Sequence, residues 1–491
     1  MTIATSLDER SVIADVPDGL FIGGRWVQTE ARIAVRDPSS GKTLAAIADA
    51  GAREGVAALD AASGAQRGWA RSSARDRARV LTRAYELVQQ RRDEFALLMT
   101  LEMGKPLPQS YAEVDYASEF LRWYAEEAVR IGGWYGSNPE NTGRMILSHH
   151  PVGPALLITP WNFPLAMATR KVAPAIAAGC TSIIKPAALT PLSTLAFARV
   201  LEQAGLPDGV VNVVTTSASG ALSGAVLKDA RLRKLSFTGS TEVGRTLIAQ
   251  AAENILRVSM ELGGNAPFLV FEDADLDAAV EGALQAKFRN IGQACTAANR
   301  LLVHESVAGA FADRFARRVE AMKIGRGTEP DVEIGPLIDD RAVDKAGRLV
   351  TDAVSRGARP VLEGGAIEGA GSFYAPTVLS DVPRDARIGS EEIFGPVAAI
   401  SSFRDEDDAI AAANATEYGL VAYAYTESVS RGQRLMEQLE TGMLGWNVGV
   451  LSNAAAPFGG VKQSGFGREG GAEGIHDYLS MKYTLTPNPY R

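Results

Sequence analysis

Between residues 51 and 131 apolar side chains recur at helical spacing. In VLTRAYELVQQRRDEFALLMTLE, Val80, Leu81, Tyr85, Leu87 and Val88 fall on one stripe, with few breakers nearby. Near residue 150 the pattern changes to short apolar runs separated by helical stretches. PALLIT, CTSIIK, GVVNVV and KLSF read as strands, and PLAMATRKVAPAIAAG, TPLSTLAFARVLEQAG and STEVGRTLIAQAAE as helices. In the second of these helices Thr190 suits the N-cap, Pro191 the first helical position and Gly205 the end. Runs this apolar argue for a parallel sheet covered on both faces. A second alternation starts at APFLVF and continues through DLDAAVEGALQAKF and RLLVH. The fold class expected is α/β with two domains, divided near residue 260. The tail DYLSMKYTLTPNPYR alternates like an exposed strand able to pair with another segment or subunit.

Composition narrows the function classes. A chain of 491 residues exceeds one ordinary core and should divide into two or three domains. The formal charge of −8 gives no basic footprint and argues against nucleic acid as a partner. Two cysteines cannot build a disulfide framework, which fits a reducing cytoplasm. The start, MTIATSLDERSVIADVPDGL, has neither the basic flank nor the apolar run of a signal peptide. No stretch reaches the apolar length that crosses a bilayer, so no membrane partner is expected.

Cys180 heads an apolar strand and reads as a buried structural thiol. Cys295 differs, because GQACTAAN is not strand-like and its small neighbours leave the sulfur accessible. A thiol hydrolase would need an activating histidine, yet His149, His150, His304 and His476 form no such pattern and no metal-ligand spacing. Three other stretches bear on Cys295. ITPWNFP puts Asn162 just past a strand, where its amide suits polarising a carbonyl. MELGGN sets Glu261 beside two glycines, and SFTGSTEVG is a strand, tight turn and helix start of the kind that binds phosphate. Singly, Asn162 reads as a turn residue and Glu261 as a solvated strand end.

Taken together, PWNFP, FTGSTEVG, MELGGN, GQACTAANR, EEIFGP and PFGGVKQSGFGRE resemble the motifs of the aldehyde dehydrogenase superfamily, in order, from about residue 20 to the end. The separations resemble that family too: 133 residues from Asn162 to Cys295, 34 from Glu261 to Cys295 and 97 from Cys295 to Glu392. The resemblance implies two doubly wound domains, a Rossmann-like cofactor domain (1–133 and 152–259) and a catalytic domain (260–470), plus a small β bridging element (134–151 and 471–491). Such bridges commonly pair subunits, so a homodimer or homotetramer is implied. It further implies Cys295 as nucleophile, Asn162 as oxyanion donor and Glu261 as the base that hydrolyses a thioester. NADP or NAD would be held by Thr159, Pro160, Trp161, Lys185, Ala188, Gly239, Ser240, Leu262, Glu392 and Phe394.

Arg289, six residues before Cys295, reads on its own as a solvated helix-end arginine. Within the superfamily that position faces the substrate tunnel. With Arg170 and Ser452 it resembles the succinate-semialdehyde dehydrogenase branch, in which this trio holds a distal carboxylate. Glutarate semialdehyde, another short ω-acid aldehyde, a CoA-acylating reaction and a non-catalytic scaffold are the rival readings. Glu261 argues against the CoA route. Two departures stand out. Ala297 occupies the place of the second cysteine in redox-switching members, and Ala188 that of a glutamate in NAD-preferring ones. With Lys185, and with donors from Thr190 and the helix turn after it, NADP should be used at least as well as NAD.

Overall fold

The computed structural model describes residues 7–490, so the first six residues of the expected cofactor domain lie outside it. The helical stripe of the N-terminal third becomes four helices, Ala52–Ala70, Ala74–Gln90, Arg92–Met103 and Leu107–Ala128. The first large sheet has a parallel centre of strands Val211–Val213, Ser182–Lys185, Ala155–Ile158, Lys234–Thr238 and Arg257–Glu261, in that spatial order. Its central strands are buried throughout, as near-continuous Ile, Leu and Val runs require when helices cover both faces. The hairpin Leu20–Ile22 with Arg25–Val27 extends one edge antiparallel. The other edge is closed by Gly465–Phe466, which pairs antiparallel with Met260 and Glu261. That short strand was expected within the second domain; the chain returns to the first sheet there and carries Glu469 into it.

The second sheet has the order Arg359–Leu362, Thr377–Ser380, Val397–Phe403, Ala298–His304, Ala266–Val270, Val421–Tyr425 and Met443–Trp446. All but the first pairing are parallel. A third, antiparallel sheet joins Trp134–Ser137, Gly143–Pro151 and the tail strand Leu479–Pro487, which pairs along its full length. Met481, Tyr483 and Leu485 on that strand stay more than half exposed.

The site follows from how the two large sheets meet. The carboxyl ends of the first sheet's parallel strands face the amino ends of Ala266–Val270 and Ala298–His304, joined by the short link Leu262–Asn265. Ligands bind such folds outside the carboxyl ends of the strands. The link runs so close to the nucleophile loop that a Cβ on Gly264 would collide with the Cys295 carbonyl oxygen.

One local expectation needs correction. Thr190 does not cap the helix Leu192–Gln203; its hydroxyl donates to the Trp161 carbonyl at 3.0 Å. The buried carboxylate of Glu102 does the capping, accepting the N–H groups of Leu192 at 2.7 Å and Ser193 at 2.9 Å. The N–H groups of Leu192 and Ser193 already have an acceptor, so they are not free to hold a phosphate.

Candidate active site

A cavity of about 370 Å³ opens between the two sheets. Most of the residues singled out by sequence line it. Pro160, Trp161 and Asn162 come from the loop after Ala155–Ile158, and Gly239 and Ser240 from the turn after Lys234–Thr238. Leu262 comes from just past the first-sheet strand Arg257–Glu261, and Cys295, Glu392 and Phe394 reach it from the second sheet's side, with Arg170, Arg289 and Ser452 around them. Thr159, Lys185, Ala188 and Glu261 are not in this lining. Thr159 and Lys185 sit together at adjacent strand ends, where the Thr159 N–H donates to the Lys185 carbonyl at 3.2 Å.

Cys295 is half-buried, and burial pushes its thiol up to about 12, against the opposing charge of Arg170. The resting sulfur is a thiol, and its proton must leave before it attacks anything. Asn162 is buried, and its Nδ2 donates to the Gln293 carbonyl in the nucleophile loop at 2.9 Å. One amide N–H thus fixes the side chain, and the second remains for a ligand.

Glu261 is no solvated strand end. Its carboxylate is buried and neither oxygen has a partner. Burial, together with the charge of Glu469, raises its pKa well above the carboxylate range, with Arg170 and Lys171 opposing. Glu469 behaves oppositely: burial would raise it, but Lys171 and Arg170 hold it low. Its Oε2 lies 2.6 Å from Arg170 Nε, and Oε1 meets Lys171 Nζ. Two carboxylates in one buried cluster are thereby driven apart in proton affinity.

The two arginines are held differently. Arg170 is 1% exposed, stacks at 4.3 Å on the Phe458 ring and forms an ion pair with Glu469, its Nε making no hydrogen bond. Its Nη2 is buried with no hydrogen-bond partner. Arg289 is half-buried, lies 5.2 Å from the Phe163 ring centroid and, among the described residues, forms no ion pair. It faces the cavity and is not a solvent-side dipole cap.

The cofactor side also has residues suited to a dinucleotide. Lys185 Nζ donates to Ser219 Oγ at 3.0 Å and to the Pro186 carbonyl at 3.3 Å, with no carboxylate beside it. Burial lowers its pKa to about 8. Ser240 caps the helix Thr241–Ala251, whose N-terminus opens on the cavity. Glu392 accepts the Gly264 N–H at 3.1 Å, and burial raises it to about 7. Trp161 and Phe394 meet edge to face at 5.3 Å, Phe394 with a φ of 55°. An unpaired cation, an open helix start and a carboxylate with a free oxygen fit the ribose and phosphate groups of a nicotinamide dinucleotide.

The chain matches the model of the aldehyde dehydrogenase family over residues 26–484. It belongs to that family. It is 58% identical over 447 residues to a succinate-semialdehyde dehydrogenase of Paenarthrobacter nicotinovorans, covering 91% of this chain and 99% of the relative. It is 49% identical over 465 residues to the succinate-semialdehyde dehydrogenase [NADP(+)] GabD of Escherichia coli (strain K12), covering 94% and 96%. A crystal structure described as an E. coli NADP-dependent enzyme superposes with a TM-score of 0.95 at 48% identity, covering 96% of this chain and 98% of that one.

Several side chains of this family member's site escaped the sequence reading. Tyr116 lines the cavity with a buried hydroxyl that has no partner, and Phe163, Phe458 and Lys345 also line it. Lys105, Glu113, Lys171 and Glu469 stand behind the wall, fully or almost fully buried. Their only sequence signal was charge inside otherwise apolar, helical or glycine-rich stretches.

Proposed function

We propose that the protein oxidises succinic semialdehyde to succinate, with NADP or NAD as hydride acceptor. The observation that carries this reading is the pairing of Arg170 and Arg289 around the cavity that holds Cys295. A buried guanidinium with an unpartnered edge, and a second without a carboxylate, suit an aldehyde bearing a distal carboxylate. Ser452 adds a hydroxyl at the mouth.

Cys295 gives its proton to solvent and its sulfur adds to the aldehyde carbon, making a thiohemiacetal alkoxide. The free N–H of Asn162 and the Cys295 backbone N–H stabilise that oxygen. Bound nicotinamide supplies the acceptor for the hydride that leaves the same carbon. The thioester on Cys295 is then attacked by a water whose proton goes to Glu261, and the thiolate departs as succinate forms. Burial makes Glu261 a stronger base once ionised, and the charges of Arg170 and Lys171 favour that ionised form. Lys185 and Ala188 would face the adenosine ribose, Ser240 the pyrophosphate and Glu392 the nicotinamide ribose. Thr159, Pro160, Trp161, Gly239, Leu262 and Phe394 would complete the seat. The exposed apolar tail strand favours a homodimer or homotetramer, and two free thiols suit a reducing cytoplasm. The units 1–133 with 152–259, 260–470, and 134–151 with 471–491 remain our domain division, with Gly465–Phe466 crossing into the first sheet.

Nicotinamide reduction followed with succinic semialdehyde, glutaric semialdehyde and uncharged butyraldehyde tests the substrate. kcat/KM should be highest for succinic semialdehyde. A higher value for butyraldehyde overturns the carboxylate reading, and a higher one for glutaric semialdehyde moves it one methylene longer. Glu261→Gln should keep a stoichiometric burst of reduced cofactor while slowing turnover about 100-fold or more, and Cys295→Ala should abolish the burst. Normal turnover of Glu261→Gln would remove that residue from the base role.

A further inference from the structure

The loop that carries Asn162 is gripped from behind by a buried ion pair with no solvent contact. Lys105 and Glu113 both have side chains 0% exposed, and the Lys105 ammonium donates to Glu113 Oε2. The same ammonium donates to the Asn162 carbonyl at 2.8 Å and lies 4.2 Å from the Phe163 ring centroid. Carboxylate, carbonyl and ring face together occupy it. Glu113 Oε1 accepts the N–H groups of Leu165 at 3.1 Å and Ala166 at 3.2 Å, in the first turn of the helix Pro164–Ala178. The pair therefore holds the chain on both sides of the Asn162 side chain.

The nucleophile loop is tied to the same point. Asn290 Nδ2 donates to the Asn162 carbonyl at 3.1 Å and to the Gln293 carbonyl at 2.9 Å. Asn162 Nδ2 meets that Gln293 carbonyl as well, at 2.9 Å. The segment between is strained: Asn290, Ile291 and Gly292 have φ of 56°, 61° and 74° in succession. A β-branched residue in the left-handed region persists only where its surroundings fix it. Here the Asn162 carbonyl is the shared acceptor, taking one bond from the ion pair and one from the strained loop.

We propose that Lys105, locked by Glu113, is a positioning residue that sets the Asn162 amide against the Cys295 loop. Replacing a whole buried pair by apolar residues is often neutral or stabilising, so stability alone does not account for this one. Its three-way seat on the Asn162 peptide gives it a task that an apolar pair of equal volume would not perform, because oxyanion donors must stay within a few tenths of an ångström of their place. The proposal rests on Asn162 being an oxyanion donor.

The test is the pre-steady-state burst of reduced cofactor, read as a rate constant beside KM for aldehyde and cofactor. The double variant Lys105→Met/Glu113→Gln removes both charges together. It should slow the burst about 10- to 100-fold, the scale of a catalytic group displaced by around an ångström, with both KM values within about threefold of the parent. In an Asn162→Ala background the same double substitution should add almost nothing, since the group being positioned is gone. Lys105→Arg keeps both charges but cannot fill the ammonium's seat; with its fold checked by circular dichroism and thermal unfolding, its burst should also slow. An unchanged burst in Lys105→Arg or in the double variant, or an equal loss with and without Asn162, overturns the positioning role while leaving the oxyanion assignment intact. A normal burst in Asn162→Ala alone removes the oxyanion assignment, and the proposal falls with it.

Discussion

The region we assign to the aldehyde and the neighbouring region we assign to the cofactor hold cations of different kinds. On the aldehyde side stand Arg170 and Arg289, and a guanidinium keeps its proton across the working range of any enzyme. On the cofactor side Lys185 has a pKa lowered to about 8, and Glu392 one raised to about 7, both by burial. The difference teaches that recognition of a substrate carboxylate should be insensitive to pH, whereas recognition of the cofactor should not. The two arginines also differ from each other. Arg170 neutralises Glu469 as well as facing the cavity, whereas Arg289 lies over the Phe163 ring and, among the described residues, has no ion pair.

The largest effect is expected at Arg170. Arg170→Ala leaves Glu469 with Lys171 alone and opens a gap against Phe458. We expect a stability loss of about 3 kcal/mol, the low end for one partner removed from a buried pair, measured by denaturant unfolding. kcat/KM for succinic semialdehyde should fall at least about 100-fold, from loss of charge-assisted hydrogen bonds worth roughly 1.5–3 kcal/mol each. Butyraldehyde should lose activity too, because Arg170 is among the charges that hold down the pKa of Glu261. A variant as stable as the parent would break the contrast between the two arginines.

Arg289→Ala should act on one readout only. kcat/KM for succinic semialdehyde should drop about 10- to 150-fold on the same hydrogen-bond scale, and that for butyraldehyde little. Unfolding should shift by no more than about 1 kcal/mol, the value of an exposed cation–ring contact. Equal losses on both aldehydes would reduce Arg289 to a support of the loop.

Much of this division was legible in the sequence, and the reason is physical. Asn162 follows the strand Ala155–Ile158 and Cys295 the helix Leu276–Phe288, elements of strong periodicity, whereas Glu261 was singled out by its motif and ends a strand, Arg257–Glu261, that the apolar pattern did not mark. The buried charges were not legible. Glu102 caps a helix 90 residues away, and Lys105 reaches a carbonyl 57 residues away. The only signal near either residue is a charge beside an apolar stretch, and a charged residue near a helix end ordinarily reads as solvated. The same blindness misplaced the cap on Thr190: threonine and proline marked the correct turn, but the carboxylate came from another helix. Arg170 was placed in the pocket by resemblance, whereas its bond to Glu469 required the return of the chain along Gly465–Phe466.

On the cofactor side, Ala188→Glu sharpens the comparison by adding a fixed charge near the titrating one. A carboxylate there would hydrogen-bond ribose hydroxyls and repel a 2′-phosphate. The ratio of kcat/KM for NADP to that for NAD should fall by about tenfold, one like-charge contact in a half-buried site. A parent enzyme that already favours NAD more than tenfold would show that Ala188 does not open the seat to NADP.

The smallest expected effect is the pH dependence of NADP binding. Lys185 is protonated below its pKa of about 8 and loses its charge as pH rises through that value. A 2′-phosphate, with a second pKa near 6, is already a dianion at neutral pH, so any change between pH 7 and 9 belongs to the protein. The charged lysine attracts that dianion and the neutral one does not. NADP affinity should therefore be full at pH 7 and weaken toward pH 9, by about fivefold if the lost contact is worth roughly 1 kcal/mol. NAD offers only hydroxyls at this position, which a neutral amine still serves, so its dissociation constant should move less than twofold. Lys185→Met should flatten the NADP curve at the weak, high-pH level. Fluorescence titration of the free enzyme with each reduced cofactor separates these curves from any effect on Cys295 or Glu261. Parallel pH profiles for the two cofactors would mean that the titrating group lies elsewhere, with Glu392 the first alternative, because its rise to about 7 would touch both cofactors alike.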